Sequence, residues 1–250
     1  VNLSLGANYM LSSKTALKIN VASGFRAPNL SELTSNGIHH GTNRFERGNI
    51  NLHSEKGVQL DAGLHYDTEK FSFEIDGFFY GRLNDYIILE PTGEEEDGAS
   101  VYEYQQEDAT MLGTELMVHY HPTEKFHFKS SFEWLKGELV NGGDLPLQPA
   151  SQWKNEMSWN FNSMTNAFFH VTTTLDQENV SQFETRTGGY TLLDAGMNFS
   201  FNRQNKNPWE VRLLVTNITN KDYISHLSRL KSEAKGNIGR NIVVGIKRFF

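Results

Sequence analysis

The side chains that could do chemistry are few, and they sit where the hydropathy pattern is least regular. The stretch "NGIHHGTNRFERGN" (36–49) carries His39 and His40 side by side, His53 follows shortly after, and His226 lies near the carboxy end. Imidazole binds zinc and haem iron. His39, His40, His53 and His226 are therefore candidate ligand-binding residues, with His39 and His40 the candidate metal ligands. Zinc wants three or four converging donors, and adjacent histidines do not readily face one ion, so the alternative is a solvated loop. Arg26, in "GFRAPNLSEL" (24–33), could clamp an anionic chelate through charge-assisted hydrogen bonds. It could equally hold the base of its loop against a nearby carboxylate, since the guanidinium fork pairs readily with one. The run Glu94-Glu95-Glu96-Asp97 could draw cations or be an ordinary solvated face. His65, His119, His127 and His170 alternate with apolar residues, which suits a relay or polar packing.

Catalytic signatures are missing from the sequence. There is no Gly-rich phosphate loop, no Gly-x-Ser-x-Gly elbow and no His-Glu-x-x-His. No enzymatic activity and no cofactor are expected.

The elements that position these residues read as strands. Apolar and polar side chains alternate through eleven segments, as in Val58, Leu60, Ala62, Leu64 and Tyr66 against Gln59, Asp61, Gly63 and His65. The connections alternate as well. Short ones fall at 11–14, 67–70, 121–125, 162–165 and 202–208. Long ones fall at 24–56, 90–110, 139–150, 176–189 and 220–239. Every second join being short predicts antiparallel neighbours, with all long loops at one end. No convincing helix separates them.

The chain has 250 residues, no cysteine and a formal charge of −7. Disulfides and thiolate metal sites are excluded, and nucleic acid is not an expected partner. No apolar run is long enough for a membrane helix, but a barrel strand needs only about 9–11 alternating residues. One face of the alternation is apolar. The other carries Asp61, Glu74, Asp76, Glu115, Lys129, Glu133, Lys154 and Glu156. Aromatics such as Tyr66, Phe71, Tyr120, Phe126 and Phe250 crowd strand ends near the short joins, as in interfacial girdles. The expected fold is all-β: an antiparallel transmembrane β-barrel fragment whose eleven strands form an open half-barrel. A soluble sandwich alternates too, but its loops need not sort by length. Leu60, Phe73, Leu116, Phe132, Trp159, Val171, Met197 and Leu213 are expected to face lipid, and Glu74, Glu115, Glu156 and Asp194 the lumen.

"GFRAPNLSEL" followed by "GNINLHSEKGVQLDAGLHY" resembles the TonB-dependent outer-membrane receptors. In that family a strand rises to a motif like Phe25-Arg26-Ala27-Pro28, and the chain returns through one like Asn51-Leu52-His53-Ser54-Glu55-Lys56. "LLVTNITNKDY" (213–223), "YQQEDATMLGTEL" (104–116) and the closing "GRNIVVGIKRFF" are similar to later family strands, with Arg248 a departure from the usual apolar residue. The resemblance implies a barrel of about 22 strands around a plug. Residues 1–250 would be its carboxy-terminal part, with the plug, the TonB-contact segment and the first half of the barrel absent. It implies active import of a scarce nutrient (iron siderophore, haem or zinc) across the outer membrane of a Gram-negative bacterium. Implied partners are the TonB complex through the plug, the bilayer and lipopolysaccharide, and a small-molecule or metal cargo. "NGIHHGT" resembles a stretch of receptors taking up zinc or haem. A passive porin or an adhesive barrel is the alternative.

Overall fold

The computed structural model describes residues 2–201, 209–231 and 235–248. Eleven strands hydrogen-bond in one antiparallel wall: β1 (Leu3–Ser12), β2 (Thr15–Arg26), β5 (Glu55–Asp67), β6 (Phe71–Glu96), β7 (Ala99–Tyr120), β8 (Phe126–Leu139), β9 (Gln152–Asn162), β10 (Thr165–Thr174), β11 (Tyr190–Phe201), β12 (Trp209–Thr216) and β13 (Asn241–Arg248). The order in the sheet is the order in sequence, as repeated hairpins require. The sheet stays open, with β1 and β13 as its edges. The 202–208 join and the terminal Phe250 lie outside the described residues.

Register decides what each face shows. Across β1, β2, β5 and β6, Leu5 pairs with Val21, Val21 with Leu60, and Leu60 with Phe79. Further round, Leu116 pairs with Phe132, Phe169 with Ala195, Met197 with Leu213, and Leu213 with Val244. Because side chains alternate along a strand, all eight residues expected to face lipid share this one face. Glu74, Glu115, Glu156 and Asp194 share the other, where Asp76 pairs with Glu115, Glu115 with Glu133, and His170 with both Glu156 and Asp194. The apolar face is open: Leu5 is 81% exposed, Leu112 45% and Ile246 66%. A soluble chain rarely leaves so extensive an apolar surface uncovered, whereas a barrel turns one to lipid. Arg248, on this face, lies over the Trp209 ring at 5.1 Å.

Two expectations need correction. The 90–110 segment is not a loop but the outer half of a hairpin, because β6 has 26 residues and β7 has 22. Asp97 (φ 51°) and Gly98 (φ 77°) close it, as expected for an Asp-Gly pair in a tight turn needing two positive φ values. The 24–56 excursion is also structured. Pro28 ends the extended run, and Asn29 caps a short helix α1 (Leu30–Thr34). The chain then forms the hairpin β3 (Asn36–His39) and β4 (Arg44–Arg47), and β4 lies parallel to β7 through Phe45 and Val101. The described residues therefore hold the eleven expected strands in the wall, with two further short strands and one short helix in this excursion.

The buried core lies in these outer parts, not in the wall. One cluster is Phe45, Ala99 and Val101; another is Ile88, Ala109 and Leu145. Only where layers stack on the wall can apolar groups leave both water and lipid.

Candidate cargo-facing site

Arg26 ends β2 directly opposite Glu55, the first residue of β5. Its Nε donates to Glu55 at 2.5 Å and its Nη2 at 2.9 Å, while Nη1 donates to both oxygens of Glu32 at 2.9 and 3.0 Å. Glu32 is buried and belongs to the helix cap: Asn29 Oδ1 accepts from its backbone N–H, and its own carboxylate accepts from the N–H of Asn29. Glu55 also accepts from the Ile87 N–H at 2.8 Å. One guanidinium thus straps together β2, α1, β5 and, through Glu55, β6. This geometry makes Arg26 the anchor of the loop base.

His39 and His40 are exposed at the β3–β4 turn, where the Thr42 hydroxyl sits 3.1 Å from His39 Nδ1. The imidazole of His53 is exposed, and its backbone is held on both sides by Gln106, at 2.7 and 2.8 Å. Of the described residues, the group of three His, Asp or Glu side chains whose ligand atoms lie within 4.8 Å of one another is His65, Glu74 and Asp76. His39, His40, His53 and His226 are not gathered into such a set. The acidic run is tied down: Arg47 donates to Glu94 at 3.0 Å and to Glu96 at 3.1 Å.

His226 is buried, 6% exposed, between two outer loops. The Thr187 hydroxyl and the Lys231 ammonium lie 2.8 and 3.1 Å from its Nδ1. Since Lys231 donates there, the ring proton belongs on Nε2. That atom has no hydrogen-bond partner, and Glu184 stands 3.8 Å away. Burial, reinforced by the nearby Lys231 charge, pushes the His226 pKa down, while Glu184 opposes the shift. Glu184 in turn accepts from the N–H groups of Leu147 and Ser181 at 2.9 and 3.1 Å. His226 and Glu184 knot the loops after β8, β10 and β12.

Further buried amides complete the knitting. Gln148 bonds both backbone groups of Gly137, and Gln177 donates to the carbonyls of Gln148 and Pro149. Asn217, 3% exposed, exchanges two hydrogen bonds with the backbone of Lys221 and donates its own N–H to the Asp194 carboxylate. The Tyr223 ring then packs on Tyr190 at 4.5 Å. Glu55 and Asn217 were not singled out from the sequence, although both lie within runs, 51–56 and 213–223, that resemble family motifs. Gln148 and Gln177 lie in no such run, and their partners are backbone groups that local pattern does not mark.

A wall apolar on one face and charged on the other, under a cross-tied canopy at one end, defines a segment of a transmembrane β-barrel with a structured outer mouth. Residues 1–218 match the family model for the TonB dependent receptor-like beta-barrel. The chain belongs to that family. Its fold is similar to solved structures of the copper transporter OprC (TM-score 0.84, 18% identity, 98% of this chain and 39% of that one). It is also similar to the FrpB iron transporter from Neisseria meningitidis (0.72, 16%, 99% and 39%). A third is the ferric enterobactin receptor PfeA from Pseudomonas aeruginosa (0.71, 16%, 99% and 40%). The chain thus spans about two fifths of the length of the receptors it matches.

Proposed function

We propose that this chain forms the outer mouth and part of the lumen wall of a receptor that imports a scarce nutrient across the outer membrane of a Gram-negative bacterium. The energy is supplied by TonB. The cargo class is an iron siderophore, haem or a metal such as zinc. The observation that carries this reading is the canopy. Three loops are joined through buried His226 and Gln177 and half-buried Glu184 at the end opposite the short turns. A cross-tied mouth suits capture of a specific cargo, whereas passive diffusion asks only for an open path. Family membership supports the coupling to TonB, and the copper, iron and ferric enterobactin named for the similar structures support a metal-bearing cargo. Within this reading His39, His40 and His53 are the exposed loop groups that a metal or haem would meet. Arg26 and His226 hold the frame behind them. The wall meets the bilayer and lipopolysaccharide.

The test is growth of a deletion strain, with and without the full-length gene, under separate limitation of iron, haem, zinc and copper. A defect confined to one condition and restored by the gene names the cargo. Normal growth under all four, with uptake indifferent to loss of TonB, overturns active import in favour of a passive barrel.

A further inference from the structure

The hairpin β5–β6 places two short sequences, Gly63-Leu-His65 and Glu74-Ile-Asp76, across from each other near the short turn at 67–70. His65 pairs with Glu74, and Gly63 with Asp76. Period-two alternation sends all four positions to the charged face. His65 Nε2 lies 2.9 Å from Asp76 Oδ1, and His65 Nδ1 lies 3.8 Å from Glu74 Oε2. One ligand atom from each of the three residues falls within 4.8 Å of the other two.

Two independent features surround this group. The first is Gly63. A Cβ there would stand 2.0 Å from Asp76 Oδ1 and 3.0 Å from His65 Nε2, so the carboxylate occupies space that only glycine leaves. The second is uncompensated charge. Asp76, Glu115 and Glu133 lie directly opposite one another on β6, β7 and β8, an arrangement that is destabilising for like charges. Lys154 pairs with Glu133 at 3.0 Å, and His65 meets Asp76. Glu115 has no ion-pair partner among the described residues. Asp76 and Glu115 also line a cavity of about 340 Å³ with Asp61 and Lys18.

We propose that His65, Glu74 and Asp76 form a divalent-cation site on the lumen wall, with Glu115 within reach as a further oxygen ligand. One imidazole with carboxylates suits first-row divalent ions such as Zn²⁺, Fe²⁺ and Mn²⁺, whereas Ca²⁺ and Mg²⁺ prefer all-oxygen sets. The donors stand on paired strands, so their spacing is held by ladder hydrogen bonds and not by a loop. A cation there removes the repulsion across β6 and β7. It does so whichever cargo the receptor carries, and the site lies at the opposite end of the wall from His39 and His40.

The experiment is calorimetric titration of the purified full-length receptor in detergent with Zn²⁺ alone. Asp76→Asn and Glu74→Gln keep side-chain volume but weaken ligation. Each should remove one Zn²⁺ equivalent or raise its Kd about tenfold or more. Gly63→Ala should do the same by displacing the carboxylate. The His39→Ala/His40→Ala double variant should retain that equivalent. If Zn²⁺ binding is unchanged in Asp76→Asn and Glu74→Gln, with the barrel folded by its mobility on unheated gels, the group is an ion pair and the site is overturned. Failure of import in the growth experiment leaves this result unaffected.

Discussion

Arg26 and the histidines divide the residue-scale roles. The Arg26 fork meets Glu32 and Glu55 at once, which a Lys point charge cannot reproduce. Arg26→Ala leaves the buried Glu32 carboxylate without its cation. We expect a cost of about 1–3 kcal/mol, the usual penalty for an unsatisfied buried acceptor. Limited proteolysis should cut faster within 36–54 in this variant, with Arg26→Lys intermediate. His39 and His40 lie exposed at the β3–β4 turn. If the cargo is zinc or haem, the double alanine variant should weaken its binding in calorimetry on the full-length receptor, while siderophore uptake is untouched. Unchanged binding of both would assign these two histidines to solvent and favour the siderophore.

The faces and loops respond to different stresses at the scale of elements. Leu116 and Glu115 are neighbours on β7 that point to opposite faces. Leu116→Arg should cost about 2–4 kcal/mol in a bilayer, and Glu115→Arg distinctly less, in a refolding assay into lipid. Equal tolerance would contradict the lipid assignment. The loops after β10 and β12 should respond to acid through His226. Its pKa is held below the ordinary 6.5, chiefly by burial. Opened loops therefore bind the proton more readily than closed ones, and closure weakens as pH falls below about 6.5. Glu184 favours protonation from one side, while Lys231 opposes it and Thr187 bonds the ring. Hydrogen exchange in 175–189 and 217–231, corrected for intrinsic rates, should rise between pH 7.5 and 5.5. His226→Phe should flatten that dependence.

The open edges govern the whole molecule. β1 and β13 end the sheet and run in the same direction, toward the short-turn end. Each leaves a row of backbone N–H and C=O groups that lipid cannot satisfy, at several kcal/mol per group. Two copies related by a twofold along the barrel axis would have to pair these strands in parallel, unlike any neighbours in the wall. The 250-residue chain by itself should therefore form no stable channel. Single-channel recording or liposome swelling checks this, and a reproducible pore from the isolated chain would count against it.

Strand identity and facing were legible in the sequence, because side chains alternate with a period of two and every second join is short. Leu60, Trp159 and Met197 could thus be assigned to one face from pattern alone. The base of the first loop was legible as a motif, since Arg26 and Glu55 sit in short recognisable runs. Local pattern could not show that 90–110 continues the β6–β7 hairpin, although Asp97-Gly98 was there to be read as its turn. Nor could it show that His226 is a buried knot while His39 is exposed. Those outcomes depend on which distant groups meet across loops, as Glu184 meets Leu147, Ser181 and His226. The triad of His65, Glu74 and Asp76 likewise exists only in register. A shift of one residue between β5 and β6 would send Glu74 and Asp76 to the face opposite His65, so hydrogen-bond pairing, not composition, decided that they converge.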